Sequence, residues 1–312
     1  MNIVKLFNRL VESYLFVVVI ALVAGLAFSE RISILTAYTT VFLQIIFFLS
    51  SLKLDPKAIV KEAKDVKLIL LVNAFKLLIL PAVVYLVAAR LYPSMAVPLL
   101  LLSAVPSGMT TPLLVEVVGG KQGLALVLTV TSSLIAPLTI PLVIGHFAGT
   151  AVTVNAFEMF QKLVQVIVIP FLIAQAVRAF LDRRLSATYF TFKPISIVIL
   201  GLLIAGAVAK QASVILSHVD MTMLILLCVL FLFVALMLSI GYAMAYWRDC
   251  SDRLTVAVST AFMNFSLAIF LADAFFPDPN VLLASVLVIF PWAMMLLPFK
   301  HVVHRFICKT PA

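Results

Sequence analysis

One lysine and one run of small polar residues carry whatever chemistry this sequence holds. Lys76 stands near the middle of an apolar stretch, 68–88, with Pro81 five residues beyond it. A charged lysine at the centre of a membrane helix costs about 2.5–3.5 kcal/mol, so such a residue usually faces a cavity or a partner and has a task. Glu116 and Asp273 fall near the ends of their own apolar stretches, which leaves no carboxylate expected at its depth. Desolvation disfavours the charged form of a lysine. Reversible proton binding is therefore one use for Lys76, and a fixed structural cation is the other. The second feature, Ser103-Ala104-Val105-Pro106-Ser107-Gly108-Met109-Thr110-Thr111-Pro112, interrupts the apolar stretch 95–118. Two prolines and a glycine cannot continue a regular helix. A helix broken at membrane depth is tolerated only where its freed backbone faces protein or a polar cavity. Such breaks are where secondary transporters place substrate and ion sites. An isolated kink would be merely structural, but four hydroxyl side chains in or beside this one favour a site.

The elements that must position these residues follow from composition. The chain has 312 residues, 64% hydrophobic and 11% charged, with a mean hydropathy of +1.24. Soluble domains carry about a quarter charged residues. The chain is therefore expected to be an all-α integral membrane protein with essentially no extramembrane domain. Lys and Arg outnumber Asp and Glu by 22 to 13, which reads as basic loops holding topology in a lipid bilayer, with no nucleic-acid partner. Cys228, Cys250 and Cys308 show no spacing that indicates a disulfide framework or a zinc site. No His, Asp or Glu falls at depth to serve a nucleophile or a metal, so the residues speak against an intramembrane enzyme and no cofactor is expected.

Ten spans are expected at about 13–29, 34–52, 68–88, 95–118, 123–144, 158–180, 194–216, 221–246, 254–276 and 280–298. The first follows Lys5 and Arg9 and is read as a retained span rather than a signal peptide. With both termini cytoplasmic, the inner segments hold Lys5, Arg9, Lys53, Lys57, Lys61, Lys64, Lys67, Lys121, Arg178, Arg183, Arg184, Lys193, Arg248, Arg253, Lys300, Arg305 and Lys309. The outer loops hold Arg31, Arg90 and Lys210, with Lys162 just inside the sixth span. That asymmetry fixes the orientation. Lys53 to Lys67 reads as a short amphipathic surface helix, and Tyr246 and Trp247 as interfacial anchors.

The halves 1–156 and 157–312 resemble each other weakly. The broken run in the fourth span is answered by Ser259-Thr260-Ala261-Phe262-Met263-Asn264-Phe265-Ser266 in the ninth, and Pro137 by Pro291. Five spans followed by five must invert the second unit, and paired polar interruptions in inverted repeats point to a transporter's site. The half-helix N-termini at the breaks suit an anionic group. Ser107, Gly108, Thr110, Asn264 and Ser266 are the expected substrate contacts. Gln44, Gln161, Gln165 and Gln175 either line the same cavity or bond neighbouring helices.

These residues resemble the bile acid:sodium symporter superfamily over nearly the whole chain. The sharpest match is Ser103 to Pro141, with its Pro-Gly break and the hydroxyl-rich run Thr129-Val130-Thr131-Ser132-Ser133 ending in Pro137-Leu138-Thr139-Ile140-Pro141. Ser51 to Pro56, Ile79 to Pro81 and Asn264 to Ala268 support it. The resemblance implies a panel of helices 1, 2, 6 and 7 and a core of helices 3–5 and 8–10, with broken helices 4 and 9 crossing in the core. It implies alternating-access transport of a small organic anion, in many members driven by two sodium ions behind the crossover. The sodium positions are degenerate here. The family's carboxylate falls on Ser259, its nearby glutamine on Met263, its fourth-span asparagine on Pro112 and a fifth-span hydroxyl on Ala125. At most Thr111 and Thr129 keep sodium-binding oxygens, and Lys76 stands where sodium-coupled members carry a glutamine.

The expectation is that Lys76 replaces sodium, bonding carbonyls of the break and hydroxyls such as Thr111 or Ser259. Pro106 and Pro112 shape the crossover. Coupling to protons and simple facilitation stand level, ahead of sodium coupling. The alternatives are a sodium-coupled organic anion symporter, an auxin-efflux-type carrier and, from another class, a channel or non-transporting sensor. A cell inner (plasma) membrane location is expected. The sequence leaves oligomeric state open, and a monomer suffices.

Overall fold

The computed structural model describes residues 14–149, 155–185, 189–217 and 221–306. Lys5, Arg9 and Lys309 lie outside them. The described residues form helices joined by short turns, with one isolated antiparallel bridge and no strand. Among the described residues five helices are by themselves long and apolar enough to cross a membrane: Ser29–Leu52, Val66–Leu91, Gln122–Phe147, Ala156–Leu181 and Met223–Met244. Pro279–Met294 joined to Leu296–Val303 at a 42° bend adds a sixth. The chain is a multi-pass membrane protein.

The elements used below are α1 (Tyr14–Ala27), α2 (Thr39–Leu52), α3 (Val66–Leu91), α4a (Ala96–Ala104), α4b (Thr111–Val117), α5 (Gln122–Phe147), α6 (Ala156–Leu181), α7 (Tyr189–Lys210), α8 (Met221–Met244), α9a (Cys250–Ala261), α9b (Phe265–Phe275) and α10 (Pro279–Met294). Short polar side chains start several of them. Asp65 accepts from Leu68 N–H, Asp249 from Asp252 N–H, and Asn264 from Leu267 N–H, each filling an orphan donor of a first turn. Of the stretch Lys53 to Lys67, expected as one surface helix, Pro56–Glu62 forms a short helix capped by Asp55, while Val66 and Lys67 already belong to α3.

Proline acts differently at each site. Pro137 and Pro141 lie inside the unbroken α5. Pro81 and Pro170 each follow a wider, π-type turn, in which Leu80 N–H bonds Phe75 O and Ile169 N–H bonds Val164 O. A proline has no N–H to return and collides with the carbonyl four residues back, so the preceding turn opens. Such turns recur at functional sites. Pro112 does not break a helix at all: it occupies the first turn of α4b, where a missing N–H costs nothing. The interruption is therefore Val105 to Thr110, with Pro106 and Gly108 at its centre.

The largest apolar core is continuous. It joins α4a, α5, α7, α8, α9a, α9b and α10, with Phe262, Phe265 and Trp292 packed edge to face around the ninth-span break. Cys250 is disulfide-bonded, which corrects the reading that no cysteine pairs, and Cys228 is free and exposed. Tyr246 and Trp247 are both exposed at the end of α8.

Candidate functional site

The two interruptions meet. Gly108 N–H donates to Phe262 O at 2.9 Å and Asn264 N–H donates to Pro106 O at 2.8 Å, closing the bridge between Ser107 and Met263. Two breaks thus satisfy each other's backbone, which is how non-helical chain survives away from water. Gly108 is needed for the approach: a Cβ there would stand 3.1 Å from Met263 O and 3.3 Å from Phe262 O. Thr111 Oγ1 adds a bond to Phe262 O at 3.2 Å, and Ser107 N–H donates to Ser132 Oγ of α5 at 3.3 Å.

Lys76 lies in the widened turn of α3, 2% exposed. Its Nζ donates to Ser107 Oγ and to Ser259 O, both at 2.6 Å. Ser107 Oγ in turn donates to Ser259 O at 2.6 Å. One amine therefore ties α3 to the break of the fourth span and to the last turn of α9a. Its partners differ in part from expectation. The carbonyl was foreseen, but the hydroxyl is Ser107 rather than Thr111 or Ser259. Among the described residues Ser259 Oγ and Thr129 Oγ1 are buried without a partner, and no cluster of His, Cys, Asp or Glu could hold a metal.

The remaining expected contacts divide cleanly. Gly108, Thr110, Asn264 and Ser266 line a cavity of ≈ 60 Å³ together with Ile46, Phe47 and Ser50 of α2, Ser196 and Leu200 of α7, and Met109, Met263 and Phe265. That is room for a few waters, so in this conformation the site is nearly closed. Ser107, expected to face the same space, sits behind it on Lys76. Asn264 uses Oδ1 to cap α9b and to accept from Ser266 Oγ at 3.1 Å. Two of the four glutamines bond neighbouring helices: Gln44 donates to Gln165 O at 3.2 Å and Gln175 to Ser51 O at 2.9 Å, joining α2 to α6.

Sequence reasoning missed three supports. Asn73, one turn before Lys76, is buried and donates to Thr131 Oγ1 at 2.8 Å, pinning α3 to α5. Its spacing from Lys76 on an apolar helix was the available signal. Ser132 gave none among so many hydroxyls. The third is an ion-pair network at the lysine-rich end: Lys121 reaches Asp249 and Asp252 at 2.8 Å, and Arg248 reaches Asp65 at 3.0 Å and Asp252 at 2.8 Å. It clamps the starts of α3, α5 and α9a, helped by Lys121 N–H to Thr255 Oγ1 at 2.7 Å. Hydrogen bonds from Lys121 and from the Asp252 backbone hold the Asp249 carboxyl below the usual carboxylate range. Partial burial opposes the Lys121 charge, but the two aspartates outweigh it and raise its proton affinity.

Over 268 residues the chain is 23% identical to the uncharacterized sodium-dependent transporter YocS of Bacillus subtilis (strain 168), covering 83% of this chain and 81% of that protein. It is 27% identical over 164 residues to a probable chloroplastic sodium/metabolite cotransporter of Oryza sativa subsp. indica, covering 51% and 40%. It is 25% identical over 207 residues to sodium/bile acid cotransporter 7 of Danio rerio, covering 64% and 61%. The profile of the SBF-like CPA transporter family matches residues 8–304. A broken-helix crossover inside a multi-pass helical protein, matched over nearly its whole length to that profile, places this chain in the SBF-like CPA transporter family: it is a membrane transporter of the bile acid:sodium symporter type, not an enzyme.

Proposed function

We propose that this chain is a secondary transporter that moves a small organic anion by alternating access, with Lys76 in the role that sodium plays in coupled relatives. One observation carries the reading. A buried amine bonds both halves of the crossover at 2.6 Å, and no carboxylate bonds or pairs with it among the described residues. Those oxygens are the neutral, hard donors that an alkali ion would seek. Here they are committed to nitrogen, so the residues do not fit a sodium ion at that point. The donor count favours proton exchange: a neutral amine has two N–H groups and Lys76 makes two bonds, whereas an ammonium brings a third donor. Loss and regain of that proton would loosen and reset the tie between α3, the fourth-span break and α9a. Without such exchange the protein is a facilitator.

The wider frame belongs to the same proposal. Ten spans form inverted repeats, 1–156 and 157–312. Helices 1, 2, 6 and 7 serve as panel and the rest as core, with both termini cytoplasmic in a plasma membrane. The cavity between α2, α7 and the two breaks takes the anion, through Asn264, Ser266, Thr110 and backbone near Gly108. Sodium coupling is the second reading, favoured by the names of the relatives and by the unbonded Ser259 and Thr129 hydroxyls.

Counterflow in proteoliposomes, over a panel of small carboxylates and sulfonates, separates these readings. The expected result is saturable uptake that is indifferent to replacing sodium by potassium and responds to an imposed pH gradient. In Lys76→Gln the pH response vanishes. Flux that collapses without sodium supports the second reading, and no saturable flux for any anion defeats both.

A further inference from the structure

We infer that the groove between α3 and α8 is a binding site for one phospholipid, with an acyl chain along the groove and the phosphate at Arg90. The groove shares no lining residue with the crossover cavity, and at ≈ 320 Å³ against ≈ 60 Å³ it is the roomier of the two. It has a floor and two walls. Ala88, Leu99, Phe233 and Met237 are buried and form the floor. Val83, Val87 and Leu91 of α3 stand exposed on one side, and Leu232 and Leu236 of α8 on the other.

Hydrophobicity alone does not fill a groove inside a bilayer, because a lipid tail is already in apolar surroundings. Shape does. A channel between two ridges leaves its lining atoms without neighbours on one side, and each missing contact forfeits dispersion energy. Val83 and Leu91 are eight residues apart, about 12 Å along a helix, while one leaflet of the hydrocarbon core is about 15 Å deep. The groove therefore runs from the end of α3 to near the middle of the span, the depth that one acyl chain reaches. Its volume spread over that length gives a channel roughly 6 Å across, too narrow for a helix of a second copy at about 10 Å. A flexible unbranched chain fits and restores the contacts.

The mouth supplies the polar end. Tyr92 lines the groove just past the last turn of α3, which carries Arg90, and Tyr and Arg at a span end meet lipid headgroups. Arg90 follows Val87 by three residues and Val83 by seven, so the helix turns it to the side of that wall. It is exposed, and among the described residues no carboxylate pairs with it. A phosphate offers the guanidinium two oxygens at once.

Photolabelling tests the site. Phosphatidylglycerol with a diazirine midway along one chain is added to the full chain in maltoside micelles, and the adducts are mapped by peptide mass spectrometry. The expected result is saturable labelling at 83–92 and 229–240, well above that around the exposed Val23 of α1 and Ile173 of α6. Unlabelled phosphatidylglycerol displaces it, and diacylglycerol, which has the chains without the phosphate, does not. Leu236→Trp, made at an exposed wall position, lowers groove labelling to the level at Val23 and Ile173. Arg90→Gln raises the half-saturating lipid concentration about fivefold, and Arg90→Lys restores most of it. The proposal is overturned if the groove labels no more than those two positions, if diacylglycerol competes as well as phosphatidylglycerol, or if Arg90→Gln changes nothing. It is also overturned if light scattering shows a dimer that Leu236→Trp dissociates, since a second copy then covers the groove. None of these readouts requires transport, so the counterflow result stands apart from them.

Discussion

Two lysines of this protein solve opposite problems. Lys121 lies at the end of the bundle, its side chain 46% exposed, and takes two carboxylates at 2.8 Å. Lys76 lies inside, 2% exposed, and takes a hydroxyl and a carbonyl. At the surface a charge is cheap, water screens it, and an ion pair adds little. In the interior a cation without a counter-ion is costly and is retained only for a use. The difference is one of counterparts: carboxylates hold the lysine at the end of the bundle, while a hydroxyl and a carbonyl hold the buried one.

The sharpest way to break that contrast is Lys76→Ala. It leaves Ser259 O without its lysine donor and the three-way tie undone, and counterflow is expected to fall by about 100-fold or more, equivalent to roughly 2.7 kcal/mol. If flux and melting temperature are unchanged, Lys76 is no centre. Gly108→Ala comes next. Its methyl must push the two breaks apart by a few tenths of an ångström, and about a tenfold loss of flux is expected with a smaller change in melting. Asp252→Ala reverses the pattern. It strips a buried carboxylate from Lys121 and Arg248, which costs about 1–3 kcal/mol of stability, seen as a lower detergent melting temperature with substrate affinity preserved. Lys121→Ala removes a half-exposed side chain and leaves the buried Asp252 its Arg248 partner, so it costs less, under about 1 kcal/mol.

The pH response of that end should be the mildest effect. Asp249 titrates below its ordinary range in the folded protein. Its contribution is therefore full above about pH 4 and lost as pH falls through the lower folded value. Lys121 is shifted upward, so its share is full below about pH 10.5 and lost as pH rises through the higher folded value. Melting temperature followed across pH should show both shoulders, and Lys121→Ala should flatten them. Shoulders untouched by that change would mean that the network contributes nothing measurable.

What could be read from the residues alone is instructive in its unevenness. The break at Pro106 and Gly108 was legible because a missing N–H and a missing Cβ are local facts. The oddity of Lys76 was legible because a cation amid apolar residues violates a rule that needs no coordinates. Its hydroxyl partner was not legible. Thr111 and Ser259 looked as good as Ser107, since hydroxyl-bearing residues are interchangeable in sequence and distinguished only by direction. Pro112 was misjudged for a related reason: a proline that ends one helix and one that begins another look alike until the cap is seen.

The sequence by itself determined that this chain spans a membrane in helices, that one helix is broken at depth, and that a lysine sits where a charge is costly, because hydropathy, backbone chemistry and desolvation act through each residue's own identity. Tertiary structure decided that the break pairs with a second one in the distant half, that Lys76 ties them through Ser107 and Ser259, and that α3 and α8 wall one apolar groove. Those are distances between segments far apart in the chain, and only packing sets them.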